Sequence, residues 1–192
     1  MVDKPKSFIR GKLVSKGPHA IKGVGKGGKV IVNNVLFDID DIIKAIRFWS
    51  GRNAYVGFNI TKFEEEIRKD GKYYYSGNMT FERNMDFYLR QRFSIDFEIK
   101  GAEKVQVEGP NGAIRNLMKG KIIFTLFTDI DLDYDNVFKN SKGWRGFIHH
   151  IFFEYIYFKT YEAHKFELGT NTGKIHSLLK SQVDSFKIYK EI

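Results

Sequence analysis

Between Ala54 and Tyr134 the apolar residues recur at every second position, which predicts strands; on either side they recur every three or four, which predicts helices. The first strand is Val30–Phe37, VIVNNVLF, β-branched and apolar. Asp38 or Asp40 can cap the helix that follows, DDIIKAIRFWSG, in which Ile39, Ile42, Ile43, Ile46 and Trp49 share a face and Gly51 is placed as the stop. Val56, Phe58 and Ile60 then alternate with Tyr55, Gly57 and Asn59, and Asp70-Gly71 marks a hairpin. Tyr73, Tyr75, Gly77, Met79, Phe81 and Met85 form the inner face of the next strand. Phe87, Leu89, Phe93, Ile95, Phe97 and Ile99 oppose Arg90, Arg92, Ser94, Asp96, Glu98 and Lys100 in the one after it. Gly101 is read as its end, EKVQVE as a shorter strand, and Gly109-Pro110-Asn111-Gly112 as a turn. A last long strand points Ile122, Phe124, Leu126, Ile130, Leu132 and Tyr134 inward.

The stretch Trp144–Phe166 is the most apolar of the chain. At 3.6 residues per turn Trp144, Phe147, Ile148, Ile151, Phe152, Tyr155 and Phe158 form one broad face, while Phe153, Tyr157 and Tyr161 fall outside it. Such a helix wants cover on most sides, and a long coiled meander with one dry face can supply it. Gly169 to Thr172 is read as a break, after which Ile175, Leu178, Leu179, Val183 and Phe186 share a face of a second helix. The expected class is therefore α+β, a long coiled antiparallel sheet gripping a long C-terminal helix. The expected division is a basic segment 1–29, a domain 30–168, and a C-terminal amphipathic helix 169–192 that packs on the domain or on a partner.

Composition adds charge to this picture. The 192 residues are 42% hydrophobic and 16% aromatic, enough for a core dominated by Phe and Tyr, and too apolar for low-complexity disorder. With no cysteine, disulfides and thiolate metal sites are excluded. No apolar run reaches the roughly 18 residues of a membrane span, and the first residues lack a signal-peptide core, so a cytoplasmic location is expected. Net charge is +9, and residues 1–29 supply +7 of it: seven Lys and Arg10 against Asp3. That segment is either a solubilising arm or a contact for phosphates or an anionic surface.

Its glycines satisfy two phosphate-binding spacings without the context those motifs need. Gly23, Gly25 and Gly28 stand in G-x-G-x-x-G, and Gly23, Gly28 and Lys29 in the Walker spacing, but Val30 replaces the metal-holding hydroxyl and a strand, not a helix, follows. GTNTGK at Gly169–Lys174 is one residue short of the Walker spacing and is discounted as well.

The order of strand VIVNNVLF, helix DDIIKAIRFW, meander Tyr55–Tyr134 and helix from Trp144 resembles the helix-grip arrangement of the START and polyketide-cyclase-like superfamily, related to the plant pollen-allergen fold. The likeness spans roughly residues 28–166 and is one of architecture. It implies an apolar ligand held between sheet and C-terminal helix, with enzymes a minority.

Three functions are expected from the residues. The first is non-enzymatic binding of an apolar small molecule or lipid, lined by Phe93, Phe124, Trp144, Phe152 and Tyr155, without a cofactor. The second is nucleic-acid binding through Lys12, Lys16, Lys22, Lys26 and Lys29 with Arg90 and Arg92, where Tyr88 could stack on bases. The third is a cavity enzyme using His149, His150 or Glu154; His150 and Glu154, four apart, share a helical face and with His164 could hold a metal or a base. Structural histidines are the plainer account, and no metal site is assigned. The run Asp129, Asp131, Asp133, Asp135 lacks the glycine and terminal acid of a calcium loop and reads as the acidic outer face of a strand. No Ser-His-Asp order or nucleophile elbow occurs. The terminal helix, being one-sided, could also serve a homodimer.

Overall fold

A computed structural model describes residues 20–21, 26–132 and 144–191 of the chain. Strands β1 (Ala20–Ile21) and β2 (Lys26–Phe37) lie along the same neighbour and form one edge of an antiparallel sheet. Helix α1 (Ile39–Arg52) carries the chain to the opposite edge, β3 (Val56–Ile67), from which β4 (Tyr73–Asn84), β5 (Leu89–Glu108) and β6 (Ile114–Leu132) return as a meander. The C-terminal helix comprises α2 (Trp144–Ile151), a π-helical turn Phe152–Tyr157 and α3 (Phe158–Ser185). A two-residue strand, β7 (Lys190–Glu191), pairs with the far end of β5. The result is a five-strand antiparallel sheet with a long C-terminal helix, an α+β arrangement compatible with a helix grip.

The β5–β6 pair spans the whole molecule, from Leu89 opposite Leu132 to Glu108 opposite Ile114. Gly101 does not end β5. With φ of +62° it forms a bulge in which Gly101 and Ala102 oppose Gly120, and the strand continues through EKVQVE. Asn34 of β2, at φ of +51°, lies in a register shift facing the same part of β6. Bulges in line across neighbouring strands bend and twist the sheet there, and this produces the concavity that the pleat alone would not. Gly77 is required for a different reason: a Cβ at that position would collide with the ring of Phe97 on the paired strand.

At α1 the N-cap is Asp38, whose Oδ1 accepts from the amides of Asp40 at 2.9 Å and Asp41 at 3.4 Å. The expected stop at Gly51 is displaced, because the helix runs on to Arg52 and is closed by Asn53, with Ala54 at positive φ. That turn swings Tyr55 into the core and leaves Val56 exposed, so β3 begins one residue out of the expected alternation. Phe87 likewise lies in the β4–β5 turn, exposed, instead of starting a strand.

The larger difference concerns the C-terminal helix. α3 passes without interruption through Gly169–Thr172, where a break is expected. Tyr157, Tyr161, Leu168, Asn171, Ile175, Leu179, Val183 and Phe186 are buried, a single stripe of residues three, four or seven apart. The stripe packs on β2, β6 and α1. The apolar face expected inside is outside: Trp144 is 71% and Tyr155 82% exposed, and Phe147, Ile148, Ile151 and Phe158 are exposed as well. A π turn closes i→i+5 hydrogen bonds and so takes up extra residues per turn. Traced back from Tyr157, the buried stripe therefore reaches the half-buried Phe152 and Phe153, and α2 is rotated away from it.

Gly169 and Gly173 have open space where a Cβ would project. Gly173→Ala is expected to stabilise the protein by about 1 kcal/mol, as in any exposed helix interior. A denaturant midpoint that falls in this variant would mean the helix is broken there. Gly77→Ala, by contrast, should cost about 1–3 kcal/mol through overpacking against Phe97.

Candidate functional site

Where α3 crosses the dry face of the sheet, aromatic and polar side chains meet at Tyr55. Its ring closes an aromatic group: 5.7 Å from Trp49 in a stacked pair, and edge-on to Phe81 at 5.5 Å and Phe93 at 5.2 Å. Its hydroxyl donates to Gln91 Oε1 at 2.8 Å and accepts from Asn171 Nδ2 at 3.2 Å. Gln91 Nε2 in turn donates to the backbone carbonyl of His164 at 3.0 Å. Gln91 is fully buried, on the inner face of β5 between Leu89 and Phe93. A buried amide costs free energy unless each polar group finds a partner, and here β5, the residue leading into β3, and α3 supply them. At the rim of this seam Arg83 Nη1 bonds Glu167 Oε1 at 2.9 Å, and His164 Nδ1 lies 3.5 Å from Glu167 Oε2. Burial raises the pKa of Tyr55 above 10, since an interior phenolate would lose its hydration.

A second polar anchor ties the π turn to the sheet. Asp86, in the β4–β5 turn, accepts from the amides of Tyr88 at 2.7 Å and Leu89 at 2.8 Å through Oδ1, and from the Tyr157 hydroxyl at 2.6 Å through Oδ2. Tyr88 is buried and stands edge-on to Phe152 at 5.5 Å and Tyr157 at 4.8 Å. The turn is thus held on its inner side, and the apolar face of α2 points away from what holds it.

The five residues expected to line an apolar site are distributed between two places. Phe93 and Phe124 are fully buried in the sheet face beneath α3. Trp144 and Tyr155 are on the exposed side of the helix, with the Trp144 ring 5.6 Å from that of Phe147. Phe152, half-buried against Tyr88, stands between the two groups. Glu154 is exposed on the π turn; the side chains of His149 and His150 lie outside the described residues. Among the described residues no three His, Asp or Glu side chains converge as a metal site.

Arg90 and Arg92 lie on the outer face of β5 and are paired there. Arg90 reaches Glu82 at 3.4 Å and Asp131 at 3.2 Å, and Arg92 reaches Asp131 at 2.8 Å and Glu82 at 3.6 Å. Asp131 of the acidic run is therefore the counter-charge of two arginines, while Asp133 and Asp135 lie outside the described residues. Of the basic segment, Lys29 is exposed on β2; Lys12, Lys16 and Lys22 and the side chain of Lys26 lie outside the described residues. Gln91, Tyr55 and Asn171 are the residues that sequence reasoning passed over. The signal was a polar residue at an inward position of an otherwise apolar strand face.

The chain matches no protein-family model, and comparison with curated proteins and with solved structures finds no match.

Tyr75 is pushed up to about 12 by burial and by its bond to Glu65, and burial raises Tyr161 as well as Tyr55. For each, the folded state holds its proton more tightly than the unfolded chain does. The stability this gives is fully present below pH 10 and is lost as pH rises from 10 through the raised folded values. Denaturant midpoints measured across that window should fall, and the fall should be smaller in Tyr55→Phe. At neutral pH that variant should cost about 1–3 kcal/mol, because Gln91 and Asn171 each lose a buried partner.

Proposed function

We propose that the protein binds an apolar small molecule or lipid, without catalysis, where the C-terminal helix leaves the helix-grip sheet. The supporting observation is the exposed face of α2 and the π turn, with Trp144, Phe147, Ile148, Ile151 and Tyr155 all turned to solvent. Contiguous apolar surface of this kind is rare on a protein that meets only water, and it marks a place where something apolar is buried. Each such side chain gains roughly 1.5–3 kcal/mol on full burial, so a few of them suffice for micromolar binding after the cost of association.

The ligand in this reading lies on the outward face formed by Trp144, Phe147, Ile148, Ile151 and Tyr155, while Phe152 and Phe153 hold the sheet side of the same helix against the core. Recognition is by shape and burial. The buried polar groups beneath are engaged with one another through the Tyr55–Gln91–Asn171 bonds, and they hold α3 at a fixed height over the sheet. The START-like superfamily, which the architecture resembles, supplies the same expectation for the class of ligand.

The chain has two tryptophans, Trp49 in the aromatic group and Trp144 on the exposed face. The emission of Trp144 can therefore be read as the difference between the full chain and its Trp144→Phe variant. A saturable blue shift of that difference on titration with a monomeric long-chain fatty acid is expected. An unchanged difference spectrum, together with a bare protein mass after native spray and organic extraction, would overturn the reading.

A further inference from the structure

One edge of the sheet is open. β3 pairs with β4 alone, so along its other side the backbone N–H and C=O groups have no neighbouring strand among the described residues. Such an edge is a template for another strand, and proteins blunt it with bulges, charges or a covering element. β3 carries bulges. Its register with β4 shifts between Val56 and Asn59 and again between Thr61 and Glu64, with Gly57 at φ of +66° and Lys62 at φ of +55°. Beyond the second shift the pairing is regular, from Glu64 opposite Ser76 to Ile67 opposite Tyr73.

The side chains of this stretch divide between two faces. Glu64 and Glu66 stand opposite Ser76 and Tyr74 on the outer face. Glu65 and Ile67 stand opposite Tyr75 and Tyr73 on the inner face, where the Phe63 ring lies 6.1 Å from that of Tyr75 and Glu65 accepts from the Tyr75 hydroxyl at 3.0 Å. Phe63 is 48% and Ile67 60% exposed. An edge shaped only to stay in water has no use for these apolar groups. Arg68 is turned back over the Tyr74 ring and reaches Glu66 at 3.5 Å, whereas Glu64 pairs with no cation among the described residues.

An occupant that satisfies the open backbone groups must itself be extended polypeptide, because only that repeats donors and acceptors at strand spacing. A second copy of β3 fits poorly. Antiparallel pairing centred on Glu65 would set Glu64 against Glu66 and Glu65 against its own counterpart, and like charges directly opposite are destabilising. The complementary strand alternates cations with apolar side chains. Its cations lie beside Glu64 and Glu66, and its apolar groups beside Phe63 and Ile67.

We propose that residues 63–67 of β3 take up a short basic, apolar-alternating segment of another protein as an added edge strand. The bulge at Lys62 ends regular pairing on one side, which keeps the segment short. By register the stretch lies toward the opposite end of the sheet from the β4–β5 turn and the π turn it holds, so the proposal is independent of the apolar-ligand reading.

The test uses the full chain and a fluorescein-labelled, end-blocked hexapeptide that alternates lysine and valine. Saturable binding by anisotropy is expected, with hydrogen exchange slowed in β3 and unchanged in α2. Methylating alternate peptide amides should abolish binding in one phase and spare it in the other, since only every second N–H faces the edge. Glu64→Lys combined with Glu66→Lys should weaken binding roughly tenfold or more, because two attractive cross-strand pairs become repulsive. Circular dichroism shows whether that variant is folded, and the methylated peptides decide the matter on the unaltered chain. Equal binding of both methylated forms would reduce the contact to charge adhesion and overturn the proposal. So would an absence of binding. A dimer in sedimentation that already protects the β3 amides would also overturn it, by making a second copy the occupant. The Trp144 response to fatty acid is read separately, so either proposal can fail alone.

Discussion

Everything in this fold depends on giving cover to the dry face of the β5–β6 pair. Twenty residues of β5 run against nineteen of β6, and from Leu89 to Ile99 every second side chain on the inner face is buried. A ribbon of that length cannot stay flat, and the bulge at Gly101 opposite Gly120 lets it curve. The concave face then accepts one helix along its length. α3, at 28 residues, is about 42 Å long and carries its buried stripe from the π turn to the 3₁₀ turn at Phe186–Ile188.

The contact between helix and sheet is not uniformly apolar. Tyr55 serves both sides of it, with its ring among Trp49, Phe81 and Phe93 and its hydroxyl shared by Gln91 and Asn171. Apolar packing alone would allow α3 to slide along the groove. Hydrogen bonds that must be made or lost as a set allow one position only. Asp86 does the same for the other end, where it binds two amides of its own turn and the hydroxyl of Tyr157. With both ends placed, the rotation introduced by the π turn is not relaxed, and the apolar face of α2 is held outward. The exposed face is thus a consequence of how well the rest of the helix is fixed. The seam inside and the apolar patch outside belong to one continuous C-terminal helix, and fixing the first exposes the second.

The sequence by itself determined the type and order of nearly every element in the described residues. The strands announced themselves through strict alternation, the Asp70-Gly71 and Gly109–Gly112 turns through their residues, and α1 through its cap at Asp38. In Ile175, Leu179, Val183 and Phe186 it also contained the correct buried face of the last turns of α3. These are local matters, settled within a few residues by sterics and by period. What only the tertiary structure decided was phase and partnership. Whether Gly101 ends a strand or bulges it depends on the strand across from it. Whether Gly169–Thr172 breaks a helix depends on Leu168, Asn171 and Ile175 having a groove to fill. The direction of Trp144 depends on a change of helical pitch near Phe152, which leaves no mark in hydrophobic period because residues on both faces there are aromatic. The Tyr55–Gln91–Asn171 seam joins residues up to 116 positions apart, and distance along the chain hides a hydrogen bond that distance in space makes plain.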